Sequence, residues 1–332
     1  MSFPALLLRG ALCAGACMVL LIAAPSTASA QAWPTRTITA IVPFAAGNAI
    51  DGVGRILMEE LSRRLGQPIV VENRAGAGGT IGAAAVARAA PDGHTILLYS
   101  SSFSISHAIH ANLPYDTLND FTPVVPFGLQ PTVLVTAPSK GFKTLDELVA
   151  AAKAKPGAMS FASAGIGAAS HMAAERFRVS AGFEALHIPF RGPTDALTAA
   201  MQGQVDFYFL PIAAALPLIN DGKLVALAVS TAKRASALPN VPTTTEAGLK
   251  DSAYDFWVGI FVPAKTPPEI VARLNAETQK ALDAPSVKDR YGKLGVEPMR
   301  MSPAEFAKYF QQDVADIAQL VKTAKIPTQE RN

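Results

Sequence analysis

From Ile38 onward, short apolar runs of strand length alternate with longer segments whose apolar residues recur at helical spacing. ITAIV at 38–42 reads as a buried strand, followed by the loop PFAAGNAID and a helix with Val53, Ile56, Leu57, Leu61 and Leu65 on one face, stopped by Gly66. IVV at 69–71 is the next strand, then come a glycine-rich turn, an alanine-rich helix ending at Pro91-Asp92-Gly93, and the strand TILLY at 95–99. Such βαβαβ alternation predicts a parallel sheet with right-handed crossovers and helices on both faces. The pattern restarts at TVLVT (132–136). It continues through a helix from Thr144, MSFA (159–162), a helix from Ser170, LHIPF (186–190), a helix from Thr194, and the strands FYF (207–209) and LVALAV (224–229). FWVGIFV (256–262) runs into Pro263, and two helices close the chain. The first opens at Pro268, where the missing donor costs nothing, and the last carries Phe306, Phe310, Ile317 and Val321 on one stripe.

Two α/β units of similar layout, without a sequence repeat between them, suit a chain whose length exceeds one hydrophobic core. Extended segments around Val133–Thr136 and Phe256–Val262 bracket the second unit. If both cross between lobes, lobe I is built from 31–130 and 258–332, lobe II is 131–257, and the crossings form a hinge. The competing arrangement, two domains in tandem, leaves the C-terminal helices without a sheet to cover.

The first thirty residues change the picture of compartment. Arg9 is their only charge; it precedes the apolar run Ala11–Ala24 and the small residues Ala28-Ser29-Ala30. That is the layout of a Sec signal peptide cut after Ala30, and it predicts a periplasmic protein. The run is shorter than the ~20 apolar residues of a membrane anchor, and the residues before Cys13 and Cys17 fit a lipoprotein signal poorly. Both cysteines fall in this leader, so the exported chain is expected to carry no thiol and no disulfide. Its loss takes one of 29 basic residues and none of 26 acidic ones. Near-neutral charge without basic blocks argues against nucleic acid as a partner. No heptad or long edge pattern suggests assembly, which favours a monomer.

Ligands of open α/β sheets collect at the carboxyl ends of strands, where helix N-termini present free N–H groups. Three loops stand there: Pro43–Asp51, Ser163–His171 and Pro189–Thr194. The first two would face each other across an interlobe cleft. Gly165 and Gly167 lack a Cβ and let a ligand oxygen approach the backbone; equally, they are what a tight strand-to-helix turn needs. A dinucleotide fingerprint fails, because the third glycine and the acid ending the next strand are both missing, and GAGGTIG at 76–82 has the wrong spacing.

PFAAGNAID, VVENRAGAGGTIGAAAVARAAPDGHTILL, LPYDTLNDFTPV, FASAGIGAASHMAAERF, HIPFRG, GQVDFYF, GKLVALAVSTAKRASALPNVPTTTEAGL and WVGIFVPAKTPPEIVARLN resemble, in order, blocks of the Bug receptors, the solute-binding proteins of tripartite tricarboxylate transporters. The resemblance implies a type II periplasmic binding protein: two α/β lobes joined by crossing hinge strands, the ligand in the interlobe cleft, no catalysis and no cofactor. It implies a small organic carboxylate as ligand and membrane transporter subunits as partners. The carboxylate is held by backbone amides and hydroxyls of two loops, aided by water. Carried over, the first loop offers Phe44, Gly47 and Asp51, and the second Ala164, Gly165, Gly167, Ser170 and His171; Arg191 and Gly192 stand near the cleft. Asn48, Ser102 and Leu210 complete the expected binding set.

Departures from the family bear on the ligand. Asn48 replaces a glycine, Ile50 a small hydroxyl residue, and Ile166, Ala168 and Leu210 stand where relatives carry Asn, Ser or Thr, and Asp. Either these residues make an apolar pocket rim or they complete the lobe core. Lining the pocket, they favour an aromatic or aliphatic mono- or dicarboxylate without an ammonium group, with Arg191 to pair a second carboxylate.

An enzyme is the contrasting reading, together with a sensor feeding a signalling system. His94, His107 and His110 are expected at the surface, the latter two in a loop. His171 and Glu175 have the i, i+4 spacing that suits a metal, but no third ligand is evident. The chain has no Gly-x-Ser-x-Gly elbow for a secreted α/β hydrolase and no HExxH, and Ser170 beside His171 is not a dyad by adjacency alone.

Overall fold

The computed structural model describes residues 33–328. Residues 1–30, on which the expected signal peptide and both cysteines fall, lie outside them.

The first lobe is a five-stranded sheet in the order β2-β1-β3-β10-β4, from β1 (Ile38–Val42), β2 (Ile69–Asn73), β3 (Thr95–Ser100), β4 (Phe121–Leu129) and β10 (Trp257–Pro263). The second has the equivalent order β7-β6-β8-β5-β9, from β5 (Thr132–Thr136), β6 (Met159–Ser163), β7 (Ala185–Pro189), β8 (Phe207–Pro211) and β9 (Val225–Val229). The sheets are mixed, not wholly parallel: β10 runs antiparallel to β3 and β4, and β5 antiparallel to β8 and β9. This corrects the all-parallel expectation. The reason is that β5 and β10, the strands that follow the two crossings, enter their sheets from the opposite lobe.

Helices cover both faces of each sheet. In the first lobe α1 (Ala49–Leu65), α8 (Pro268–Ala281) and α9 (Pro285–Lys293) pack on one face, and α2 (Thr80–Ala87) on the other. In the second, α4 (Leu145–Ala154) and α5 (Ala169–Ala181) take one face, and α6 (Pro193–Met201) and α7 (Ile212–Asn220) the other. Strand alternation sets the allocation: Ile38, Ala40 and Val42 of β1 point to the α1 side and Ile41 to the α2 side. Local signals fix the helix ends. Gly66, at φ 70°, closes α1, and Thr144 caps α4 in a capping box with Glu147.

Four elements went unread in the sequence: α3 (Ser102–Ile109), β4, α7 and α9. Three helices, not two, follow β10, the last being α10 (Pro303–Thr323). His107 lies within α3 rather than in a loop, and His94 is buried instead of exposed. The segment at Trp33 and Thr35 folds over the Pro-Asp-Gly turn, so that Thr35 N–H donates to His94 Nε2 at 3.2 Å.

The chain passes between lobes at two places that lie side by side. Gln130, between β4 and β5, donates its N–H at 2.9 Å to Phe256 O just before β10. α10 links the lobes a third way. Phe306, Phe310 and Val314 pack into the first lobe's core, while Ile317, Leu320 and Val321 pack into the second's, beside Ile105 and Ile109 of α3. A 21-residue helix is about 30 Å long, enough to reach both cores.

Candidate functional site

A cavity of about 310 Å³ lies between the lobes. Phe44, Asn48, Ala49, Ile50 and Ser102 line it from the first lobe, Ala164, Ala168, Ala169, Ser170, Pro193, Tyr208, Phe209 and Pro211 from the second, and Gln130, Thr132 and Phe256 from the crossings. None of these side chains is charged at neutral pH: burial pushes the Tyr208 hydroxyl up to about 12, against a hydrogen bond with Ser170.

On the second lobe, the loop from β6 to α5 spends most of its donors on itself. Ser163 Oγ accepts from Gly165 N at 3.1 Å and lies 2.6 Å from His187 Nε2, and Ser170 Oγ accepts from Ala164 N at 3.1 Å. His171 Nδ1 accepts from Gly167 N at 3.2 Å, so the imidazole proton sits on Nε2, 3.8 Å from Glu175 Oε1. These bonds hold Gly165 at φ 123° and Gly167 at φ 77°, conformations that suit glycine. The N-cap is Ala168, which has no side-chain oxygen. Among the described residues, no acceptor meets the N–H of Ala169, Ser170 or His171, and the first two line the cavity. Three such donors at the positive end of a helix dipole form an anion seat.

On the first lobe, the loop before α1 is braced by a buried carboxylate. Asp51 accepts from Gly47 N at 2.9 Å, Arg55 Nε at 2.9 Å and Asn73 Nδ2 at 3.0 Å. Burial, the largest single influence, pushes the Asp51 carboxyl up, but the bonds from Arg55, Gly47 and Asn73 together hold it below the ordinary range. Asn48 caps α1 with its own side chain.

Of the residues expected to bind ligand, Phe44, Asn48, Ser102, Ala164 and Ser170 line the cavity. Gly47, Asp51, Gly165, Gly167 and His171 do not; they shape the two loops behind it. Arg191 is exposed at the surface and is not among the residues that line the cavity. Leu210 is 2% exposed, in the core beside Val133 and Val135. Ile166 is 45% exposed at the loop tip, and of the three departures in this lobe Ala168 alone lines the cavity. Gln130, Thr132 and Phe256 were missed. Their signal was positional, at the edges of the two runs predicted to cross.

His171 and His187 stack in the lobe core with ring centroids 4.0 Å apart. Burial lowers His171 to about 3, helped by His187 and Arg178, and lowers His187 to about 4. Among the described residues no cluster of three or more His, Cys, Asp or Glu could hold a metal ion. No helix among them is long and apolar enough to cross a membrane. A second, wider groove of about 710 Å³ lies between α5, the stretch 250–255 and α10; Arg176, Asp255 and Asp313 line it, and none of the cavity's lining residues does.

Comparison with known proteins places this geometry. The profile of the "Tripartite tricarboxylate transporter family receptor" matches residues 53–326. The chain is 36% identical over 303 residues to protein BugT of Bordetella pertussis, covering 91% of this chain and 92% of that one. Among solved structures it is similar to Rpa4515 of R. palustris with adipate, at 30% identity and a TM-score of 0.75 over 89% of this chain and 99% of that one. It is also similar to MatC of Rhodopseudomonas palustris with bound malate, at 35% identity and a TM-score of 0.71 over 87% and 99%.

Proposed function

The chain belongs to the tripartite tricarboxylate transporter family of receptors, periplasmic proteins that bind small organic carboxylates, and we propose that its own carboxylate sits on the N-terminus of α5. The observation that carries this reading is the set of unmet N–H groups at Ala169, Ser170 and His171, the first two on residues that line a cavity without a charged side chain. A carboxylate there accepts charge-assisted hydrogen bonds of about 1.5–3 kcal/mol each, in place of the water it gives up. The cavity is at the small end of the ligand-site range, which suits a compact solute. Relatives with adipate and with malate bear on the class of ligand, not on its identity here.

The chain acts by binding alone. Ser170 Oγ is tied to Ala164 N–H, and His171 Nδ1 to Gly167 N–H with its ring stacked on His187, so the adjacent pair has neither the geometry nor the free base of a nucleophilic dyad. Export through the leader ending at Ala30, work as a monomer and delivery to the membrane subunits complete the proposal.

Ligand contacts drawn from both lobes favour a closed state. Calorimetric titration with a carboxylate panel is therefore expected to give one-to-one binding, with a smaller radius of gyration by small-angle scattering when ligand is bound. A panel with no binder, or turnover of chromogenic esters, would defeat the reading.

A further inference from the structure

The polar groups that line the cavity fall into two sets. The first serves one carboxylate gripped by both loops. The amides of Ala169 and Ser170 come from the second lobe. From the first lobe come Ala49 N–H and one Asn48 N–H; the other Asn48 N–H goes to Ala45 O, and Asn48 Oδ1 accepts from Ile50 N and Asp51 N. The Ser102 hydroxyl joins them from the start of α3, and the Tyr208 hydroxyl is paired with Ser170. A carboxylate has about four lone-pair sites, so a single one engages both loops.

The second set stands at the crossing from β4 to β5, where the backbone is fixed. Gln130 N–H donates to Phe256 O at 2.9 Å, Pro131 O accepts from Ile212 N at 3.1 Å, and Thr132 O accepts from Ser230 N at 2.9 Å. Gln130 and Thr132 both line the cavity. Thr132 gives its hydroxyl proton to Ser230 Oγ at 2.8 Å and keeps lone pairs for an incoming donor. The half-buried Gln130 side-chain amide makes no hydrogen bond among the described residues.

We infer that Gln130 is a specificity-determining residue that pairs with a hydroxyl group of the ligand, so that the solute is a hydroxy acid and not a plain one. The inference rests on the carboxylate reading above. When the lobes shut and water leaves the cavity, an amide without a partner in the protein must find one on the ligand. A hydroxyl answers both halves of it, accepting from Nε2 and donating to Oε1 or to Thr132 Oγ1. An ammonium group donates only and leaves the Nε2 donors unmet; a second carboxylate accepts only and leaves Oε1 unmet. A plain alkyl or aryl acid satisfies the loops and leaves the whole amide unmet. The side chains of Phe44, Ile50, Phe209, Phe256, Pro193 and Pro211 offer only carbon to the rest of the molecule.

The test pairs each plain acid with its hydroxy derivatives: butanoate with the hydroxybutanoates, succinate with malate, benzoate with the hydroxybenzoates. Each is titrated calorimetrically into the native protein, Gln130→Met, which is closest in shape, and Gln130→Leu. Both substitutions keep the backbone bond to Phe256 that holds the crossing, and thermal unfolding checks that the variants fold. In the native protein the tightest hydroxy acid is expected to exceed its plain parent by at least about tenfold. The variants should weaken that hydroxy acid by at least about tenfold and leave the plain parent within about threefold of native or tighter, because an apolar side chain asks for no partner. A role in folding alone would weaken both members alike. A plain acid that binds the native protein as tightly as its hydroxy derivatives, or variants that leave the ratio of the pair at its native value, overturn the inference while leaving the carboxylate reading intact. Absence of binding to every acid defeats that reading and this inference with it.

Discussion

Gly167→Val is expected to lose at least about a hundredfold in carboxylate affinity while the protein stays folded. Gly167 does not line the cavity, so the effect passes through the backbone. Its φ of 77° lies in the left-handed region, where a β-branched residue costs roughly 1–3 kcal/mol. A Cβ there would stand 3.1 Å from Ile109 Cδ1 and 3.8 Å from Ile105 Cγ2, and valine adds two further carbons in that direction. Relief requires the loop to leave its present path, which breaks the Gly167 N–H bond to His171 Nδ1 and turns the amides that follow. Losing two charge-assisted bonds of about 1.5–3 kcal/mol each accounts for the affinity. Gly182→Ala is the control: φ is 69° at the far end of α5 and nothing lies within 4 Å of the added Cβ. It should lower the unfolding midpoint and leave affinity alone. Affinity within threefold of native in Gly167→Val would detach this loop from the ligand.

The second large effect is on stability against pH, and its source is the groove behind the crossings. Asp313 of α10 accepts from Ser104 Oγ at 2.5 Å and Trp257 Nε1 at 3.1 Å. Burial raises its carboxyl to about 6, against the hydrogen bonds from Ser104 and Trp257 and the charge of Arg176. Asp255 beside it is pushed up too, mainly by burial. A carboxyl that holds its proton more tightly folded than unfolded favours the folded state most below the unfolded value of 3.8, and that contribution is lost as pH rises through 6. About two units correspond to an upper bound of about 3 kcal/mol. Asn at this position keeps an oxygen for Ser104 and Trp257 without the charge. Urea unfolding of native and Asp313→Asn protein at pH 4, 6 and 8 should show the variant gaining on the native protein as pH rises, by on the order of 2 kcal/mol across the range once the lost attraction to Arg176 is allowed for. A difference that stays constant with pH would show that Asp313 is charged throughout. The His171–His187 pair acts in the other direction. Buried neutral, it favours folding above pH 6.5, and that contribution is lost as pH falls toward about 4 and 3, in both proteins alike.

The strands and helices that bury one clear face were legible in the residues: β1, α1, β3, β6 and α5 announce themselves by period, and Gly66 and Thr144 mark ends by their own chemistry. The elements that went unread have mixed signals. β4 contains Pro123 and Pro126, which argue against a strand, and it pairs with β10 through two register shifts that accommodate them. α7 contains Pro217 and α3 is rich in serine, whose side chains compete for backbone bonds in a helix. The antiparallel course of β5 and β10 has no local signature, since direction is decided by which lobe the chain comes from. For the cavity, the resemblance pointed to two loops that border it, but a motif does not say which residue lines a cavity and which holds the loop. Asp51 and His171 are as much part of the motif as Ser170, yet their polar atoms are spent on Gly47 and Gly167. Leu210 shows the same limit: Tyr208 shares its parity along β8 and Phe209 does not, yet both of these line the cavity and Leu210 does not.

The placement of α10 also bears on when the protein can fold. The first lobe takes its fourth sheet position from β10, and both lobes take core side chains from α10, which begins at Pro303. Until that helix has left the ribosome, Phe103 and Phe261 lack Phe306 and Phe310, and Phe177 and Leu134 lie in a core still missing Ile317 and Val321. Neither half of the nascent chain can reach its final stability early. The order of the parts thus ties completion of both cores, and with it the joining of the two lobes, to the last helix of the fold.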